Sequence, residues 1–191
     1  SFTLARGEVV AVLGPSGIGK EAYTWSLRNV HLVPMSWEEE VTLLTRELNR
    51  AHAALKIEEE RNRGLPPLLP VRNEAEYGAR ADASATRFMK FLKEKPVITV
   101  QDYLDAALRQ HLGSFVPEAT RNFFLIATHH EPATLYTHFF HWFDHEWLKH
   151  TPNASPIRRK AWLYNVWDNR SEGMATAFEE IVLNTGFFDD N

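Results

Sequence analysis

The chain has 191 residues, 44% hydrophobic and 24% charged, the make-up of an ordinary globular protein large enough for a core of its own. A net charge of −4 provides no basic surface for nucleic acid, and no apolar run approaches the length a membrane span needs. With no cysteine, disulfide frameworks and thiolate chemistry are excluded.

The first element in chain order is a short apolar run, Val9 to Leu13, which reads as a strand. It leads into Gly14-Pro15-Ser16-Gly17-Ile18-Gly19-Lys20. That is the text of a phosphate-binding loop, G-x-x-x-x-G-K, with Glu21 where a magnesium-holding Ser or Thr belongs. Residues 2–20 resemble the start of an ABC-type ATPase domain. A nucleotide-binding domain needs several buried parallel strands and one ending in a magnesium-binding Asp. Downstream, only "PVITV" and "FFLIAT" are strand-like, and neither ends so. A Gly/Pro-rich turn entering a helix near Lys20 is therefore preferred, and nucleotide binding is kept as a third alternative.

The remainder, 21–191, reads as helical. "SWEE" at 36–39 is a capping-box pattern opening a helix to about residue 63. Val41, Leu44, Leu48, Ala51 and Leu55 form one apolar stripe on it. Residues 64–70, "GLPPLLP", break the helix. Asn73 caps a second helix over about 74–94, with Phe88, Phe91 and Leu92 as its apolar patch. Thr99 with Asp102 predicts a third over 100–112. "EATRNFFLIATHH" fits a helix or a buried strand. A helix follows over 133–149, then a loop at 151–156. A last helix is expected from 157 to 185, capped by Gly186.

Six of the nine histidines fall between 129 and 150, and four of the six tryptophans between 142 and 167. On a continuous helix, His138, His141 and His145 share one face, which is how helices present metal ligands. "HWFDH" has the outline H-x-x-D-H, which makes Asp144 a candidate water-activating base, one methylene shorter than the usual Glu. The alternative is a buried helix whose histidines are hydrogen-bonded core residues. A further ligand is Glu172, lying between Trp167 and Met174, because a buried carboxylate must be paired or ligating. Its other reading is a salt bridge to Arg158 or Arg170. Glu179 falls on the same face as Glu172 and can support a ligand. The candidate metal site thus spans 129–180.

The segments "GPSGIGKEAYTWSLRNVHLVPMSWEEEVTLLTRELNRA", "ALKIEEERNRGLPPL", "SPIRR" and "RSEGMATAFEEIVLNTGFFDD" resemble the family known as domain of unknown function 885, from about Gly14 to Asn191. Members are longer, so the chain is expected to be an internal piece: one partial domain with residues 1–20 as a lead-in. The resemblance implies a mainly α, multi-helix array similar to helical zinc metallopeptidases. The family pattern is H-E-x-x-P-G-H-H followed by E-G-W-A. By that likeness His138 matches the first histidine, His141 or His145 the later one, and Glu172-Gly173 the E-G step. Phe139 stands at the catalytic Glu position and no P-G step follows, so Asp144, Glu131 or Glu146 would have to act as base. The resemblance implies zinc as cofactor, a small peptide or amide substrate, and a protein that can be exported or periplasmic. A non-catalytic family member is the second reading, supported by Phe139.

Overall fold

The computed structural model describes residues 19–156 and 171–189. The expected strand at 9–13, most of the 14–20 loop, the first part of the expected last helix, and Arg158 and Arg170 lie outside these residues. The described residues are mainly helical and contain no strand. Two compact units, Ser1–Gly64 and Leu65–Asn191, divide the chain where the proline-rich connector begins.

In the first unit, α1 (Gly19–Asn29) and α2 (Trp37–Arg61) form a hairpin. Glu21 lies in the first turn of α1, where an acidic side chain suits the helix dipole. Trp37 stands edge-on to Tyr23 at 5.2 Å, and its N–H donates to Thr24 Oγ1 at 3.0 Å. The predicted capping box is formed. Glu39 N–H donates to Ser36 Oγ at 3.2 Å, and Ser36 N–H donates to Glu39 Oε2 at 2.7 Å. Ser36→Ala is expected to cost about 1 kcal/mol, seen as faster amide exchange in the first turn of α2. Unchanged exchange there would contradict that role. No residue of α2 is buried, and Val41, Leu44, Leu48 and Leu55 of the apolar stripe are exposed.

The second unit holds the main core. Its first helix, α3 (Glu74–Glu94), starts where Asn73 Oδ1 accepts from Glu76 N–H at 2.9 Å. It buries Phe88 and Leu92, as the apolar patch implies. The next helix, α4, covers only Leu104–Arg109, against the expected 100–112, and its N-terminus has no side-chain cap. Val97, Ile98, Val100 and Tyr103 instead pack against the core from outside any helix. At the far end Gly113 has φ +81°, and a Cβ there would meet Tyr77 Oη at 2.5 Å. Both the conformation and the close approach require glycine.

The ambiguous 118–130 stretch is helical. After a 3₁₀ turn at Glu118–Thr120, Asn122 caps α5 (Phe123–His130) through Leu125 N–H at 3.0 Å. Phe123, Phe124 and Ile126 are exposed, which excludes a buried strand. The buried residues are Thr128 and His129, and His129 is fully enclosed. The His129 Nδ1–H donates to Leu125 O at 2.7 Å, and its Nε2 accepts from Val116 N–H at 2.9 Å. Both nitrogens are thus satisfied only by the neutral ring. Burial, with Arg121 and His130 nearby, holds its pKa below the ordinary histidine range, against the opposing Leu125 bond. A lowered pKa means stability that is complete above the unfolded value and lost as pH falls through the folded one. Thermal melts from about pH 7.5 to about pH 5 should therefore show stability declining below about pH 6.5. His129→Leu should lack that component. An identical slope in the variant would assign the decline elsewhere.

The expected helix at 133–149 is broken into α6 (Ala133–Tyr136) and α7 (Phe140–His150). Between them His138 N–H bonds to Leu135 O and Phe139 N–H to Tyr136 O, both three residues back at 3.0 Å. Tyr136, Phe139, Phe140 and Phe143, at the i, i+3, i+4 and i+7 spacing of one helical stripe, are all buried, so the apolar face continues through the tightened turn. The last described helix, α8 (Gly173–Asn184), buries Ala175, Phe178 and Val182. It ends as predicted at Gly186, with φ +89°. Gly186 N–H bonds to Leu183 O, and Phe187 N–H to Val182 O, the Schellman arrangement.

Candidate metal centre

The tight turn before α7 decides which histidines meet. In a three-residue turn, side chains at i and i+3 eclipse. His138 therefore stands over His141, ring centroids 4.9 Å apart, with Nε2 facing Nε2 at 3.3 Å. The α7–α8 contact brings in the third group. Glu172, in a π-helical turn just before α8, reaches His141 Nε2 with Oε2 at 3.4 Å. One ligand atom from each of His138, His141 and Glu172 lies within 4.8 Å of the others. This is the group of described residues that can hold a metal ion.

The donor set fits one. Two imidazoles and a carboxylate, with a fourth position open, are a zinc-type set. Bonds of about 2.0–2.1 Å to a tetrahedral ion place neighbouring donors about 3.3 Å apart. The His138–His141 and His141–Glu172 separations already match that. Side-chain exposures are 36% for His138, 15% for His141 and 47% for Glu172, so the carboxylate side faces solvent. His141 has its pKa lowered by burial first of all, with Glu172 opposing and His138 and His145 adding to the lowering. That lowering favours the neutral ring, the form a cation requires.

The other expected site residues fall elsewhere. Once α7 resumes regular geometry, His145 stands a full turn, about 6 Å of rise, beyond His141. Its ring lies 5.8 Å from that of Trp142, and it is not among the three converging groups. Asp144 is 4% exposed within α7 and does not join them either. Glu131 is a clamp: it accepts from Ser84 Oγ at 2.8 Å, Arg87 Nη2 at 3.1 Å and Ala133 N–H at 2.9 Å. Glu146 pairs with Lys149 along α7, and that hydrogen bond is the main reason its pKa is lowered. His130 Nδ1 bonds to Leu68 O at 2.8 Å, and His150 stacks on Tyr103 at 3.9 Å. Glu179, expected from its shared face with Glu172 to support a ligand, contacts His138 Nδ1 through Oε1 at 2.6 Å.

Comparison of the chain with protein-family models, curated proteins and solved structures finds no match. Among the described residues no helix is long and apolar enough to cross a membrane.

Proposed function

We propose that this protein binds a divalent cation, zinc by its donor set, at His138, His141 and Glu172, and acts as a metal-dependent hydrolase on peptide or related amide bonds. The convergence of those three donors within 4.8 Å carries the metal-binding part. The hydrolytic part is supported by the likeness of "RSEGMATAFEE" to the E-G step of the domain of unknown function 885 family. A cation held there supplies Lewis-acid polarisation of a carbonyl and a lowered pKa for bound water. The chain's own contribution is to hold two imidazoles and one carboxylate around a point open to solvent on the Glu172 side.

A second reading is a metal-binding helical protein without hydrolytic activity. Phe139 favours it: the residue at the family's catalytic Glu position is buried in the core at 8% exposure, and Asp144 is buried too. One experiment separates the two. Purified protein is analysed for zinc and assayed on amide substrates before and after chelation. Near-stoichiometric zinc, with activity lost on chelation and regained with zinc, supports the hydrolase. Zinc without hydrolysis supports the second reading. No zinc ends both.

A further inference from the structure

The contact between Glu179 and His138 does more than pair two surface groups. We propose that Glu179 is a positioning residue: by accepting the Nδ1–H of His138 it fixes that ring in one tautomer and turns the Nε2 lone pair toward His141 and Glu172. For its purpose the inference rests on the metal-binding reading, while its chemistry stands on the apo geometry alone.

A carboxylate only accepts, so at 2.6 Å the proton of that hydrogen bond sits on His138 Nδ1. In the uncharged form that a cation requires, an imidazole carries one N–H, which leaves Nε2 of His138 as the acceptor. At the 3.3 Å contact the proton then belongs to His141 Nε2, which also lies 3.4 Å from Glu172 Oε2. Glu172 and Glu179 are two helical turns apart and share a face. One segment thus presents a carboxylate to each end of the histidine pair, and the two rings bridge the interval between them. The ends are held from below. Phe178, beside Glu179, and Phe139, beside His138, are both in the core. A carboxylate on the far nitrogen of a ligating histidine orients the ring and raises its basicity. As an ion pair, half-exposed Glu179 adds little to stability, so its removal leaves the fold intact.

The test compares wild type with Glu179→Ala and Glu179→Gln. Imidazole ¹⁵N shifts of the metal-free protein report the His138 tautomer, zinc titration by calorimetry reports affinity, and melting reports the fold. Wild type is expected to show Nδ1–H at His138. Glu179→Ala should lose that signature and bind zinc about 10–100-fold more weakly, at unchanged melting temperature. Glu179→Gln, whose amide oxygen accepts the same bond, should restore most of both. Persistence of the Nδ1–H form in Glu179→Ala, or unchanged zinc affinity, overturns the proposal. If wild type binds no zinc, the functional reading fails, and the tautomer alone judges Glu179: its loss in the alanine variant upholds the positioning role and its retention refutes it.

Discussion

His141→Ala is expected to abolish stoichiometric zinc binding, and Glu172→Ala to weaken it strongly. Each loss should exceed the roughly 10–100-fold that follows from removing only a ligand's supporting partner. His141 is the hub of the group: its Nε2 lies 3.3 Å from His138 Nε2 and 3.4 Å from Glu172 Oε2. Without it the two remaining donors no longer share a near neighbour. Because the His141 side chain is only 15% exposed, the metal-free alanine variant is melted in parallel with wild type. That separates lost binding from lost folding. Proton competition adds a pH signature. Burial lowers the His141 pKa, so the ring stays available to a cation below the pH at which an ordinary histidine is protonated, and zinc should be released only on further acidification. Zinc retained at full stoichiometry in both variants would refute the site. The same side chains would then be a polar Glu–His–His–Glu chain whose two carboxylates hold the two rings.

Features encoded within one turn were legible in the sequence. The Ser36–Glu39 box, the Asn73 cap and the Gly186 stop each depend on a side chain and a backbone group a few residues apart, and each is formed as read. Features set by packing were not. The 133–149 segment has helical character throughout, with Tyr136, Phe139, Phe140 and Phe143 on one buried stripe, yet it tightens at 137–139. That local change pairs His138 with His141 and leaves His145 a turn away, although periodicity alone puts all three on one face. The bends and turn from Val97 to Tyr103, with Val97, Ile98, Val100 and Tyr103 packed on the core, likewise override a cap pattern at Thr99 and Asp102. Glu172 and Glu179 were both visible as a pair on one face. Which histidine each would meet depends on the α7–α8 contact, which no spacing in the chain records. Glu131 illustrates the converse. As an H-E pair it read as a candidate base, but Ser84, Arg87 and the Ala133 amide occupy its oxygens.

The largest effect on the fold is expected at Phe178. Its side chain is 2% exposed, and its ring lies 6.3 Å from Phe88, 5.5 Å from Phe140 and 6.5 Å from Phe143. One residue of α8 therefore contacts α3 and two positions of α7. Phe178→Ala should destabilise the protein by about 3–5 kcal/mol, the range for emptying a buried aromatic site, measured as a shift of the urea midpoint at constant slope. The consequence reaches the metal centre. Phe178 immediately precedes Glu179 and lies on the helix that Glu172 enters, while Phe140 immediately precedes His141. The ring is the strut that sets the separation between the carboxylates on one helix and the imidazoles on the other. A misplacement of about 1 Å is enough to weaken a preorganised site. Phe178→Leu keeps most of the buried volume but not the aromatic contacts, and should cost much less stability than alanine. Comparing zinc affinity of the leucine variant with wild type, under conditions where both are folded, isolates the strut from the core. Weaker zinc binding at near-native stability would mark Phe178 as part of what aligns the two helices. Equal affinity would confine its role to burial.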